Sequence, residues 1–239
     1  MRVALCFPYI ASKREALAPA VKRFVDTYKE FPAEHEHDLI VTISEGSFYN
    51  FDAEAREDFE GVDFEPISYH GVGRDIGSHQ HTANTLSDEF DFAVFVSTQA
   101  HFHRAGWLKR LIAARAEFGP GMYGGMGSFQ NKPHIRTCFF GMDLGFFRTY
   151  PHVINSRVRA LQFESREIDI VAHVRSQGGA ICVVYWDGFY GLEHCRIPAN
   201  TFRKGDQSNC LTWDHHTDIY RDEIVSNKVY LEALADGKV

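Results

Sequence analysis

The chain has 239 residues, 44% hydrophobic and 24% charged, which is soluble composition with enough apolar material for a core that needs no staples. A formal net charge of −7, with no basic run to make a phosphate footprint, argues against a nucleic-acid partner. The five cysteines (Cys6, Cys138, Cys182, Cys195, Cys210) are scattered, odd in number and without a C-x-x-C pair, as in a reduced, cytoplasmic protein. No apolar run reaches membrane-spanning length, and "MRVALCFPYI" passes too soon into a helix pattern to be a signal peptide. The expected location is therefore the cytoplasm, attachment at the inner face of the membrane included.

In chain order, "VALCF" (3–7) reads as a buried strand ending at Pro8. Leu17, Val21, Phe24, Val25 and Tyr28 then share one helical face, with Ser12 as the cap. "DLIVTI" (38–43) is a second buried strand stopped by "SEGS", and "FEPIS" (64–68) a weaker third. "GVGRDIG" (71–77) opens a polar helix over about 76–88, and "FAVFV" (92–96) is a strong fourth strand. Leu108, Leu111, Ile112, Arg115 and Phe118 mark an amphipathic helix introduced by Gly106. "GPGMYGGMGS" (119–128) reads as a flexible connector, "TCFFGM" (137–142) as a short strand, and "ICVVYW" (181–186) as a buried strand preceded by a helix. Tyr220, Ile224, Leu231 and Ala235 point to one final helix. Strands alternating with helices predict an α/β fold, with a mostly parallel, doubly wound sheet and helices on both faces. The whole chain, 1–239, reads as one domain with a nucleotide-binding half (about 1–118) and an acceptor-side half (about 119–239).

An open parallel sheet binds its ligand outside the carboxyl ends of its strands. Four segments fall there: Pro8–Tyr9, Ser44–Glu45–Gly46–Ser47, Gly71–Gly77 and Ser97–Thr98–Gln99. The glycines of "GVGRDIG" permit a tight turn, and Asp75, beside Arg74, can accept a hydrogen bond from a base or ribose. The same turn serves equally as a structural strand-to-helix junction. It lacks G-x-G-x-x-G and so is not a dinucleotide fingerprint.

Taken in order, these segments resemble the donor half of family-2-like, GT-A-fold (Rossmann-like) glycosyltransferases. "ISEGS" (43–47) stands where that family has "VDDGS", and "STQ" (97–99) where it has D-x-D. "REIDIVAHVRSQGG" (166–179) is similar to its "EDxDLxxRLxxxG" helix, and "GRDIG" and "HIRTCFFGM" look like rhamnan-synthesis-type polysaccharide enzymes. The resemblance covers about residues 1–190. It implies a nucleotide-sugar donor, a glycan or polysaccharide acceptor, a hexosyltransferase activity and an inverting transfer. On that resemblance Glu167 falls at the position of the acceptor base, with Asp169 orienting the loop or acceptor. Pro8, Tyr9, Ser44, Glu45, Arg74, Asp75, Ser97, Thr98 and Gln99 would hold the donor, and His134, Arg136, Thr137 and Trp186 would face donor or acceptor sugar.

The departure from D-x-D bears on the metal. Ser97, Thr98 and Gln99 offer neutral oxygens, which hold Mg2+ or Mn2+ poorly without carboxylate help. Three alternatives stay open. An ion is held weakly with the donor diphosphate and Gln99, His101, His215 or His216; cations such as Arg74, Lys132 or Arg136 replace it; or the site is a non-catalytic sugar-nucleotide or glycan-binding module. The 13 histidines include "HFH" (101–103), "EHC" (193–195) and "DHH" (214–216), whose union as a zinc site would instead make a metallohydrolase. Their spacing matches no H-E-x-x-H signature.

Overall fold

The computed structural model describes residues 1–44, 51–71 and 73–239. Its first half runs β1 (Arg2–Ile10), α1 (Arg14–Glu30), β2 (Asp38–Ser44), α2 (Phe51–Asp58), β3 (Glu65–Tyr69), α3 (Arg74–Thr85), β4 (Phe90–Val96) and α4 (Trp107–Phe118). The second half adds β5 (Gly121–Gly124), β6 (Gly127–Ser128), β7 (His134–Ile135), β8 (Phe139–Asp143), α5 (Leu144–Arg148), α6 (Arg157–Ser165), α7 (Ile170–Ser176), β9 (Ala180–Val184) and β10 (Phe189–Gly191), then α8 (His215–Asp222) and α9 (Val225–Ala235).

Eight strands form the main sheet in the order β10-β9-β5-β8-β4-β1-β2-β3. The pairs β1–β2, β1–β4, β2–β3 and β5–β9 are parallel, while β8 runs antiparallel to both neighbours and β10 antiparallel to β9. This is the expected α/β architecture with a mostly parallel sheet. Alternation along the strands sends apolar side chains to both faces, and each face has its own core. One core packs α1, α2 and α4 on the sheet through Phe7, Phe24, Phe59, Phe102 and Trp107. The other packs α3, α5, α6 and α7 through Ile76, Phe95, Phe140, Phe147 and Phe163.

Several boundaries differ from the sequence expectation, each for a physical reason. β1 does not stop at Pro8 but continues to Ile10 against β2. Its ladder with β4 ends at Cys6, opposite Phe95, so the missing N–H of Pro8 falls beyond the last β4 partner. The cap position of α1 is Lys13, not Ser12, because a short 3-10 turn precedes the helix. Residues 119–128 are not a flexible connector: they hold β5 and β6 and are mostly buried. Glycine is used there for close packing, since a Cβ on Gly121 would lie 2.2 Å from the Ala180 carbonyl oxygen, in the neighbouring strand. The C-terminal helix is two helices. Asp214 starts α8 with a capping box, and extended backbone at Glu223 and Ile224 separates it from α9. Among the described residues no helix is long and apolar enough to cross a membrane.

Candidate functional site: a charged cavity at the sheet switch point

From β1 the chain builds outward to β2 and β3, then returns to place β4 on the other side of β1. Strand order therefore reverses between β1 and β4, which is where open α/β sheets leave a crevice beyond their carboxyl ends. A cavity of about 400 Å³ lies there, within the range of small-ligand sites. Its floor is Ile10 at the end of β1, Arg74 to Ile76 at the start of α3, and Ser97 to Gln99 after β4. Its wall is the 136–138 segment, one face of α6, and the start of α8.

The floor is tied together by one carboxylate. Asp75 Oδ2 accepts from the backbone N–H of Thr98 at 3.1 Å and from its hydroxyl at 3.4 Å, locking α3 to the end of β4. Burial pushes the Asp75 carboxyl above its ordinary value, and the Thr98 bonds and the Arg74 charge oppose that. The glycines of "GVGRDIG" serve packing. A Cβ on Gly73 would lie 2.0 Å, and one on Gly77 2.5 Å, from the Ile154 carbonyl oxygen, so both let α3 approach the loop before α6. Arg74 has a left-handed φ of 54°, a sparsely populated conformation for a residue with a side chain, and it projects exposed over the cavity.

The wall carries the charge. Arg136 Nη2 lies 3.4 Å from Asp214 Oδ2; the Asp214 side chain is buried and that of Arg136 mostly so. Burial opposes the charge on each. The Asp214 carboxylate nevertheless holds the Arg136 guanidinium above its ordinary value, and Arg136, His216 and the Thr217 N–H hold Asp214 below its own. Asp214 also caps α8, accepting from Thr217 N at 2.9 Å. Glu164 Oε1 accepts from the backbone N–H of Thr137 at 3.0 Å and from its hydroxyl at 3.1 Å, which fixes the carboxylate in the cavity wall. Lys13, Arg74 and Arg157 line the cavity as well, and none makes a side-chain hydrogen bond or ion pair among the described residues. The cavity thus presents three unpaired cations to whatever enters it.

Of the residues singled out from sequence, Arg74, Asp75, Ser97, Thr98, Gln99, Arg136, Thr137 and His216 meet in this cavity. Glu45 lies outside the described residues, as do Gly46 and Ser47. The other expected site residues are elsewhere. Pro8 is inside a strand, and Tyr9, one alternation step from Ile10, points to the opposite core, where its hydroxyl donates to Asp58 at 2.6 Å. Ser44 is buried and donates to the Tyr9 carbonyl at 3.4 Å. Glu167 is exposed in the turn after α6 and is not a cavity residue. Asp169 is buried as the cap of α7, accepting from Ala172 N at 2.7 Å and paired with Lys132, and neither it nor Glu167 lines the cavity. His134 is buried with Nδ1 2.8 Å from the Lys132 carbonyl. Trp186 lies under Arg104, whose guanidinium is 4.4 Å from the ring centroid, away from the cavity. Sequence reasoning missed Lys13 and Arg157 outright. A signal for the wall existed, since Arg157, Ala160, Leu161 and Glu164 fall at i, i+3, i+4 and i+7 and form the cavity face of α6.

Among the described residues the cavity's oxygen and nitrogen donors are mostly neutral or already engaged. Gln99 and His216 reach the cavity, but His215 is exposed, and His101 is buried beside Trp213, outside the cavity, with burial pushing its pKa down to about 4. Asp75 is engaged by Thr98 and Asp214 by Arg136 and Thr217. Among the described residues no group of three or more His, Cys, Asp or Glu side chains stands together as metal ligands, and the three histidine runs do not assemble into a zinc site.

No known family's sequence profile matches the chain, and no curated protein matches it. Among solved structures it is similar to mouse xyloside xylosyltransferase 1, with 10% identity and a TM-score of 0.48 over 74% of this chain and 82% of that one. It is also similar to S. aureus TarS, with 10% identity and a TM-score of 0.45 over 63% of this chain. The match spans only 30% of the TarS chain. A third is a mannosyltransferase from Pyrobaculum calidifontis, solved with GDP-Man and Mn2+, with 12% identity and a TM-score of 0.45 over 64% of this chain and 49% of that one.

Proposed function

We propose that the chain transfers a sugar from a nucleotide-sugar donor to a glycan acceptor, with inversion and without a tightly held metal. The observation that carries this reading is the set of unpaired cations, Lys13, Arg74 and Arg157, around a cavity at the sheet switch point, facing one positioned carboxylate. A leaving nucleoside diphosphate accumulates negative charge as its bond to the sugar breaks. Fixed cations stabilise that charge, and arginines do so without titrating near neutrality.

The floor suits the nucleotide. Ser97, Thr98 and Gln99 offer backbone and side-chain groups at the end of β4, and Arg74 stands beside them. The wall suits the sugar and acceptor. In the transfer, the acceptor oxygen bonds to the anomeric carbon while the bond from that carbon to the diphosphate breaks. The electron pair leaves with the diphosphate, and the hydroxyl proton passes to Glu164, which replaces Glu167 as the base in this reading. Thr137 orients the Glu164 carboxylate by its two hydrogen bonds to Oε1.

A thermal-shift panel of UDP-, GDP-, dTDP- and CMP-sugars, with and without EDTA, tests the reading, because a ligand that binds the native state raises its apparent stability. One nucleotide is expected to raise Tm, to keep doing so in EDTA, and to yield free or transferred sugar on incubation. No shift with any nucleotide removes the reading. A shift that vanishes in EDTA restores a conventional metal site, and a shift with intact donor after long incubation with glycans leaves a binding module.

A further inference from the structure

Behind the cavity wall lies a second arginine that the transfer chemistry above does not use. Arg203 is 8% exposed, in a loop where its backbone φ is 50°, and the Gln207 side chain fixes that loop. Gln207 accepts from Arg203 N at 2.8 Å and donates to the Thr217 carbonyl of α8 at 2.9 Å. The guanidiniums of Arg136 and Arg203 both lie against the ring of Phe202, at 4.3 and 5.0 Å from its centroid. Asp214 is the carboxylate they share, and it is already bonded to Arg136 and to the start of α8. Arg203 Nε and Nη1 and Arg136 Nε are buried donors without an acceptor.

This arrangement is costly as pure architecture. A buried charge without a partner destabilises a protein, and an apolar side chain of similar volume is then the better filler. Among the described residues Arg203 has no ion pair of its own. The charges acting on it are Asp214 and two further arginines, Arg136 and Arg196, and Arg196 is itself paired with Asp236 at 2.8 Å. Burial and Arg136 push the Arg203 pKa down to about 10, which still leaves it charged at neutral pH. Arg136 is at the cavity surface and His216 stands next to it, with Arg203 in electrostatic reach of both. Glu164 also acts on Arg136, so the wall sets Arg136, Arg157 and Arg203 against Asp214 and Glu164 and keeps a net positive charge on the sugar-and-acceptor side of the cavity, away from the Ser97–Gln99 floor.

Resting on the transferase reading, we infer that the sugar handled at this wall carries a carboxylate, as a uronic acid does, received by Arg136 with Arg203 behind it supplying the uncompensated charge. A guanidinium fork matches a carboxylate in shape, and a charge-assisted pair is about twice as strong as a neutral hydrogen bond. A neutral hexose would leave the wall's excess charge unanswered.

Two pairs of probes test this, titrated into the protein and into Arg203→Met: UDP-glucuronate against UDP-glucose, and free glucuronate against free glucose. UDP and GDP alone are titrated alongside. Preference for the acid on the nucleotide assigns the carboxylate to the donor, and preference for the free acid assigns it to the acceptor. The expected result is affinity about tenfold higher for the acid in at least one pair. Arg203→Met should lose that preference and melt at a higher temperature than the parent. Equal affinity for acid and neutral sugar in both pairs overturns the inference, while binding of UDP or GDP would still uphold the transferase reading. A preference that survives in Arg203→Met, or a variant that melts lower or does not fold, overturns it too, because Arg203 is then structural.

Discussion

The floor and the wall of the cavity are built on different plans. The floor is backbone set by the sheet: β4 ends, the chain turns, and Ser97, Thr98 and Gln99 arrive at the switch point with neutral side chains. One carboxylate, Asp75, spends its bonds on fixing that turn. The wall is made of elements appended to the sheet. α6, the 136–138 segment and the start of α8 bring Arg157, Glu164, Arg136, Asp214 and His216 from positions far apart in sequence. The strand ends thus provide position, and the segments around them provide charge: Lys13 and Arg74 beside the floor, and the buried Arg136–Asp214 pair with Arg157 and Glu164 in the wall. A site of this kind can lose the acidic pair expected at the end of β4 and keep its electrostatics, because they are carried by another layer of the fold.

If that division is right, the wall should be far less tolerant of neutralisation than the floor. Arg136→Met leaves the buried Asp214 carboxylate without its arginine, and breaking a buried pair from one side costs about 3 kcal/mol or more. Asp75→Asn keeps an oxygen that can accept from Thr98 and removes a charge that burial already disfavours, so its cost should stay under about 1 kcal/mol. Urea unfolding of both variants reads the difference directly. Adding Asp214→Asn to Arg136→Met should recover part of the loss. Equal costs for the two single variants would show that floor and wall are one electrostatic unit.

The same contrast explains what the sequence showed and what it concealed. β1, β2 and β4 are runs of apolar residues bounded by polar turns, and their carboxyl ends locate the floor without knowledge of any side-chain contact. Arg74, Asp75 and Ser97 to Gln99 were legible for that reason. Tyr9 was misplaced by a single alternation step, since the strand ran on past Pro8 and turned Tyr9 to one face and Ile10 to the other. Gly121 and Gly124 read as flexibility, yet they are strand residues packed too closely for a side chain, a property of neighbours distant in sequence. The wall was harder. The motif match over 166–179 drew the base to Glu167 with Glu164 only as a fallback, and the 3.6-residue face of Arg157, Ala160, Leu161 and Glu164 went unread. Asp169 looked catalytic because a cap and an active-site carboxylate share the same sequence context, an acidic residue before an apolar helix.

Within the wall the division can be sharpened on turnover. Glu164→Gln keeps an oxygen able to accept from Thr137 but cannot take a proton, so turnover should fall by about 10²-fold, the usual scale of general-base effects. Nucleotide affinity should hardly move, because the unpaired cations Lys13, Arg74 and Arg157 remain. Steady-state rates with the responding donor, paired with nucleotide titration, separate the two. A fall in affinity as large as the fall in rate would make Glu164 a binding residue instead.

The smallest expected effect is the most diagnostic for the placement of the base. Glu167 is three residues beyond Glu164, but α6 ends at Ser165, so helical periodicity no longer carries Glu167 to the face that Glu164 occupies. The chain turns there toward the Asp169 cap of α7, and the Lys132 ammonium, bonded to the Arg166 carbonyl and to Asp169, pins that turn from the outside. Glu167 is left exposed, with no hydrogen bond or ion pair among the described residues. Exposed side chains without partners tolerate substitution to within about 0.5 kcal/mol. Glu167→Gln should accordingly leave the melting temperature essentially unchanged, and nucleotide affinity and turnover within about twofold of the parent. A loss of turnover comparable to that of Glu164→Gln, with stability intact, would mean that the turn after α6 closes over the cavity when substrate binds. The base would then lie at the position the motif indicated.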